Sequence, residues 1–304
     1  MAIRFKLSKR LQLLCISALF LGLFFFIRSL PTQSCEIAHY GDYIGEDGTL
    51  GYCGDEEVHF FDLDQLNYPF AVDLLPQGEL LAGQAVEIYF ELTGPQGKTV
   101  GADQLIVSHT ERIHLLVVSD DLVDYQHVHP EPTSVRGQYK FTLTPRQAGS
   151  YRAYFDFIVA ASLRRALVDK SFEVGGVASA VAAPSGLCLS VEQDGRRYLL
   201  QTESSDFHAA ETIRFDLKVE EISSGATAQL QEVMGALAHL VAFDPTRNGF
   251  AHMHPLLPYQ ADAEIPDRIP FAFNAVQSGH YRIWAQLRIE GDDVFVPFDL
   301  PVQL

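Results

Sequence analysis

Residues 113–130 read IHLLVVSDDLVDYQHVHP, and residues 238–255 read AHLVAFDPTRNGFAHMHP. Each stretch holds one histidine, twelve further residues, and then His-x-His-Pro. The first supplies the triplet His114, His127 and His129; the second supplies His239, His252 and His254. Six of the eleven histidines fall in these two triplets, so the spacing is a repeat and not an effect of composition. Both stretches are short apolar runs broken by Asp, Pro, Asn or Gly, which is how two strands joined by a tight turn look in sequence.

Outward from the triplets the two copies align at a constant offset of 125, from Ala85/Ala210 to Pro130/Pro255. Ile88, Phe90, Leu92 and Leu105 match Ile213, Phe215, Leu217 and Leu230. The second copy then gains five residues before Gln147-x-Gly149-x-Tyr151-Arg152-x-Tyr154 finds its match in Gln277-x-Gly279-x-Tyr281-Arg282-x-Trp284. A repeat of this length is a duplicated domain. AVEIYFEL, YKFTLT and YRAYFDFIV, with their counterparts TIRFDLKV, PFAFNAV and YRIWAQLRI, carry strand patterning. A little over a hundred residues per copy suits a seven-strand sandwich, and Gly-x-Tyr before a long strand resembles a tyrosine corner. The expected fold is all-β: two tandem immunoglobulin-like antiparallel β-sandwich domains, residues 66–174 and 187–304. GGVASAVAAPSG, residues 175–186, reads as the linker, and residues 31–65 read as an irregular acidic segment. Within it GDEEVHFFDLD reads as a solvated edge.

The N-terminus differs from the rest. Arg4, Lys6, Lys9 and Arg10 lie in residues 1–10, and LQLLCISALFLGLFFFI, residues 11–27, has no charge. As a helix that run rises about 25 Å, and Ser29 and Leu30 extend it toward a bilayer's thickness. No small-x-small cleavage site follows, so residues 11–30 are expected to be an uncleaved transmembrane anchor. The preceding positive charges place residues 1–10 in the cytoplasm as a tail, with the main body extracytoplasmic, or periplasmic in a Gram-negative cell. The net charge of −17 is a balance of −22 over the 274 residues after position 30. That surface excludes nucleic acid as a partner and suits cations or basic partners, or serves solubility alone. Of four cysteines, Cys15 lies in the apolar run and Cys188 stands apart. Cys35 and Cys53 either remain thiols or, in an oxidising compartment, close a loop worth about 3 kcal/mol.

A turn centred on Asp120-Asp121 sets His114 directly opposite His127, and one centred on Pro245-Thr246 does the same for His239 and His252. His129 and His254 lie two residues on, so they share the face. Three imidazoles form a first shell for zinc or copper. His109 aligns with Met234, and both are fourth-donor candidates, as is His280 in the second copy; thioether suits Cu(I). Met253 points to the other face and is not counted. Against this stands a purely structural reading, in which the rings are buried, neutral and bonded to backbone. The histidine face also carries Leu116, Val118, Tyr125, Val241, Phe243 and Phe250, and the opposite face, with Ile113, Leu115 and Val117, is equally apolar, so which of them is the core stays open. Arg112, expected opposite His129, opposes a metal unless it turns away; the second copy has Leu237 there.

HLLVVSDDLVDYQHVHP followed by a Gly-x-Tyr strand resembles a motif of exported bacterial β-sandwich proteins associated with handling copper and other heavy metals. The resemblance implies a metal site at His109, His114, His127 and His129, and at Met234, His239, His252 and His254. The chain lacks a phosphate loop, a nucleophile elbow and a His-Glu-x-x-His helix, and the adjacent Asp120 and Asp121 do not face each other as an acid–base pair. The reading is a membrane-anchored protein that binds one copper or zinc ion per repeat, for sequestration or delivery. The alternatives are a metal-free module that docks an envelope protein and, third, a mononuclear metalloenzyme, since three histidines leave a coordination position open.

Overall fold

The computed structural model describes residues 8–29, 42–44, 50–52, 58–59, 61–62, 69–108, 110–162, 164–177, 186–244, 246–256 and 264–304. The chain divides into two units, Met1–His39 and Tyr40–Leu304. Among its described residues the first contains one helix, α1 (Lys9–Ser29), where the anchor was expected. Among the described residues no helix is long and apolar enough to cross a membrane. Cys35, Cys53 and the centre of the linker lie outside the described residues.

Among its described residues the second unit is mostly strand, paired antiparallel except for one short parallel pair. Short strands β1 (Asp42–Ile44), β2 (Leu50–Tyr52), β3 (Val58–His59) and β4 (Phe61–Asp62) come first. Repeat 1 contributes β5 (Ala71–Pro76), β6 (Val86–Thr93), β7 (Leu105–Ile106), β8 (Ile113–Ser119), β9 (Tyr125–Val128), β10 (Glu131–Pro132), β11 (Gln138–Leu143), β12 (Gly149–Val159) and β13 (Arg164–Val174). Repeat 2 contributes β14 (Ser190–Gln193), β15 (Arg196–Gln201), β16 (Thr212–Glu221), β17 (Ala238–Phe243), β18 (Gly249–Met253), β19 (Ile269–Asn274), β20 (Gly279–Ile289) and β21 (Asp292–Val302). Each repeat is two sheets. In repeat 1 they run β10-β11-β6-β5 and β13-β12-β8-β9, with β7 beside β12; in repeat 2, β14-β15-β16-β19-β3 and β21-β20-β17-β18-β4. The segment expected to be irregular therefore supplies edge strands to both sheets of repeat 2, through β3 on β19 and β4 on β18.

Alternation builds the cores. In β6, Val86, Ile88, Phe90 and Leu92 point inward and meet Leu115, Val117, Tyr151, Ala153 and Phe155 of the facing sheet. Ile213, Phe215 and Leu217 do the same in repeat 2. Gly149 and Gly279, just before the corner tyrosines, adopt φ of 138° and 144°, which side-chain-bearing residues avoid. The Tyr281 hydroxyl then donates to the carbonyl of Gln277 at 3.0 Å, and the Tyr151 hydroxyl lies 3.1 Å from the carbonyl of Gln147.

The strand β8 is buried along its whole length, on both faces. Ile113, Leu115 and Val117 enter the sandwich core, while Leu116 and Val118 belong to a second cluster with Tyr125, Tyr154 and Leu167 of repeat 1 and Val241, Phe243, Phe250 and Trp284 of repeat 2. The histidine face of each repeat is thus the face it turns to the other. The contact is reciprocal, as in a twofold interface. Arg152 donates to the carbonyl of Arg247 at 2.6 Å, and its counterpart Arg282 donates to the carbonyl of Leu122 at 3.4 Å. Tyr125 stacks on Trp284 at 5.7 Å, and the counterpart pair, Phe250 and Tyr154, meets at 5.3 Å.

Candidate metal centre

The hairpin that carries the first triplet is closed by a four-residue loop, residues 120–123, not by the turn expected from the sequence. Ser119 N–H donates to Asp124 O at 2.9 Å, and Leu122 N–H returns to Ser119 O at 2.9 Å. Leu122 takes φ 61°, and Arg247, at the matching position, takes φ 55°. The Asp121 carboxylate pins the first loop by accepting from the Ser119 hydroxyl at 2.6 Å and the Gln147 amide at 2.6 Å. The register consequently moves by two residues. His127 lies opposite Leu116 and His252 opposite Val241, instead of opposite His114 and His239. A two-residue slip preserves the face of every side chain, so the triplets still assemble.

In the first triplet the ring centroids are 5.4, 5.1 and 4.7 Å apart; in the second, 5.6, 4.8 and 4.8 Å. Within each triplet one nitrogen per ring can be chosen so that all lie within 4.8 Å of one another. His114, His127, His239 and His252 are buried; His129 and His254 are partly so.

Hydrogen bonds settle which nitrogens face inward. His114 Nε2 lies 2.9 Å from Ser108 O, and His239 Nε2 lies 3.0 Å from Val233 O, the equivalent residue. A carbonyl only accepts, so each Nε2 carries its ring's proton and each Nδ1, in the neutral ring, carries a lone pair. His127 Nδ1 lies 2.8 Å from Gln286 Oε1. The orientation of that amide is set by its Nε2, which donates to Asp293 at 3.2 Å. His127 Nε2 therefore carries the lone pair, and it sits 3.2 Å from His114 Nδ1. Two lone pairs at that separation repel unless a proton or a cation lies between them. Two nitrogens bound tetrahedrally to one zinc ion lie about 3.3 Å apart. Burial opposes the proton: it pushes His127 and His252 well below the usual imidazole range, with neighbouring rings adding to the shift, and lowers His129 to about 4. His114 is lowered by burial as well, with Asp156 opposing. Among the described residues, neither ring nitrogen of buried His252 has a hydrogen-bond partner, nor does His129 Nε2. Polar atoms so placed fit a cation, and donor bonds from the outer nitrogens to carbonyls are how metal-bound histidines are oriented.

The other sequence candidates fare differently. His109 lies outside the described residues. Met234 is half-buried, with φ 50°, at the corner of the turn whose Val233 carbonyl holds His239. His280 does not join the second triplet: it bonds Asp299 at 3.3 Å, and six residues along β20 separate it from Gln286, about 20 Å of strand. Arg112, expected to oppose a metal, turns its guanidinium to Ala102 O at 3.1 Å. Cys188 is a free thiol. The residues that sequence reasoning missed are Asp156 and Gln286, level with His114 and His239 in the neighbouring strands. Their signal was a polar residue at the same place in two otherwise apolar strands, YRAYFDFIV and YRIWAQLRI. Asp156 is held by Arg165, whose Nε donates at 2.6 Å.

No curated protein sequence matches the chain. Among solved structures, a mutant alpha-2-macroglobulin of Salmonella is similar at 12% identity and TM-score 0.26, over 78% of this chain and 15% of that one. The native alpha-2-macroglobulin of E. coli is similar at 15% identity and TM-score 0.24, over 77% and 14%. MtrC from Shewanella baltica is similar at 6% identity and TM-score 0.22, over 75% and 68%. The chain thus spans only a small part of the two macroglobulins. A family model described as a domain of unknown function (DUF8832) matches residues 68–173 and again residues 191–303. With both repeats and more than half of its residues matched, this chain belongs to the DUF8832 family and carries two copies of its domain.

Proposed function

We propose that this is an extracytoplasmic metal-binding protein that sequesters or delivers copper or zinc, with one three-histidine site in each repeat. The observation that carries the reading is the approach of His114 Nδ1 and His127 Nε2 to 3.2 Å, with an acceptor oxygen against the other nitrogen of each ring, which leaves lone pairs on the facing atoms of the neutral rings. Met234 and His109 are proposed fourth donors at equivalent positions, and the mixture of thioether and imidazole suits copper. Each repeat is read as an immunoglobulin-like sandwich, which the corner tyrosines support. Attachment to a membrane through residues 11–30 belongs to the same proposal, and the uncharged run there supports it.

The test is metal retention by the full-length chain. Purified protein is loaded with copper or zinc in separate samples, desalted, and assayed by elemental analysis. Two ions per chain are expected, and His127→Ala combined with His252→Ala should retain none. Zero ions from either loading would remove the metal reading and leave a metal-free module for docking another envelope protein.

A further inference from the structure

The sequence presents two separate sites, one per repeat. The structure brings them together. His252 of repeat 2 lies 5.4 Å from His127 and 5.8 Å from His114 of repeat 1, ring centre to ring centre. Those separations match the ones inside the second triplet, where His239 and His252 are 5.6 Å apart. His114 and His252 also line one small recess, together with Ser108, Arg112, Asp156 and Arg165. The residue that orients His127 is not from its own repeat: it is Gln286, on β20 of repeat 2.

We infer that the two triplets form a single six-imidazole, two-ion centre on the boundary between the repeats, in which each ion's affinity depends on the opposite repeat. This rests on the metal reading above and deepens it. Six neutral rings bring no negative charge to offset two cations. Two acids that act on these rings, Asp156 and Asp293, are already engaged: Asp156 with Arg165, and Asp293 with Arg288 and Gln286. The histidine faces also carry a buried aromatic and aliphatic cluster, a low-dielectric surrounding that screens charge weakly. Two divalent ions in adjoining triplets therefore repel, and the second must bind more weakly than the first. Coupling of this kind changes affinities by about tenfold or more.

The experiment uses the full-length chain and Zn²⁺ as the probe. Native mass spectrometry across a zinc titration yields the two stepwise dissociation constants. The expected ratio exceeds the statistical value for two identical, independent sites by about tenfold or more. In a second arm the second triplet is disabled by His239→Ala and His254→Ala, so that only the first triplet binds. Adding Gln286→Leu in repeat 2 should then weaken zinc at the first triplet by about 10–100-fold. Gln286→Glu keeps an acceptor for His127 Nδ1 and should restore the affinity, which separates loss of the contact from loss of the fold. A statistical ratio, or an unchanged first-triplet affinity in Gln286→Leu, overturns the coupled centre while two ions still bind. A wild-type chain that binds no zinc overturns both the coupling and the metal reading.

Discussion

The two repeats keep the same three rings and change what surrounds them. Both retain the carbonyl that holds the first histidine, the left-handed loop residue, the corner tyrosine and the arginine that reaches the opposite loop. They differ behind the rings. Level with His114 stands Asp156, ion-paired to Arg165; level with His239 stands Gln286, bonded to Asp293. By strand pairing Arg165 and Asp293 are counterparts, since Ile158 faces the one and Arg288 faces the other. The carboxylate that sits beside the ring in repeat 1 has moved one layer outward in repeat 2. What aims the imidazoles has been kept through duplication, and what tunes their electrostatics has diverged.

The largest test of that comparison is at the shared boundary. Trp284→Ala should cost about 3–5 kcal/mol in chemical denaturation, since an almost fully buried indole is lost. Tyr154→Ala at the counterpart position should cost a similar amount if the interface is truly reciprocal; a much smaller loss would break the symmetry. Next comes the ion pair. Arg165→Leu leaves Asp156, 2% exposed, as a buried charge without its guanidinium, and should cost about 3 kcal/mol. Combining it with Asp156→Asn should recover most of that loss, because repeat 2 manages with an amide at this place. Failure of the double variant to recover would mean that the pair shapes the strand and not only the charge.

Smaller effects separate the corners. The Tyr151 hydroxyl donates to the buried carboxylate of Asp124 at 2.7 Å, where repeat 2 has Gly249. Tyr151→Phe should therefore cost about 1–3 kcal/mol and Tyr281→Phe about 0.5–1.5 kcal/mol, read from urea midpoints. Last is the pH dependence of the metal-free protein. The imidazoles of His114, His127, His129 and His252 are lowered in the fold, whereas the unfolded chain titrates near pH 6.5. Below about pH 6.5 the unfolded state binds more protons, so stability is full above that value and falls as the pH drops toward 4. A urea midpoint that stays flat between pH 7 and 5 would show that the rings are not buried as described.

Much of the architecture was readable beforehand. Alternation in AVEIYFEL marked its inward face, and the offset of 125 marked the duplication. The pairing of the hairpins was not, because the loop 120–123 takes its shape from a left-handed Leu122 and from Gln147, a residue 26 positions beyond Asp121. The parity of the pattern survived even so, since a strand's faces repeat every second residue. IHLLVVS could not reveal which of its faces was the core, for the reason that both are covered.

From composition and spacing alone came the all-β character, the internal repeat and the membership of each triplet, all of them consequences of local periodicity. That the two triplets meet, that Gln286 of one repeat orients His127 of the other, and that the histidine faces form the boundary were decided by tertiary packing. Such contacts join residues about 160 positions apart, and no local pattern encodes which apolar face will find which partner until both sandwiches have formed and the remaining apolar surfaces are driven out of water.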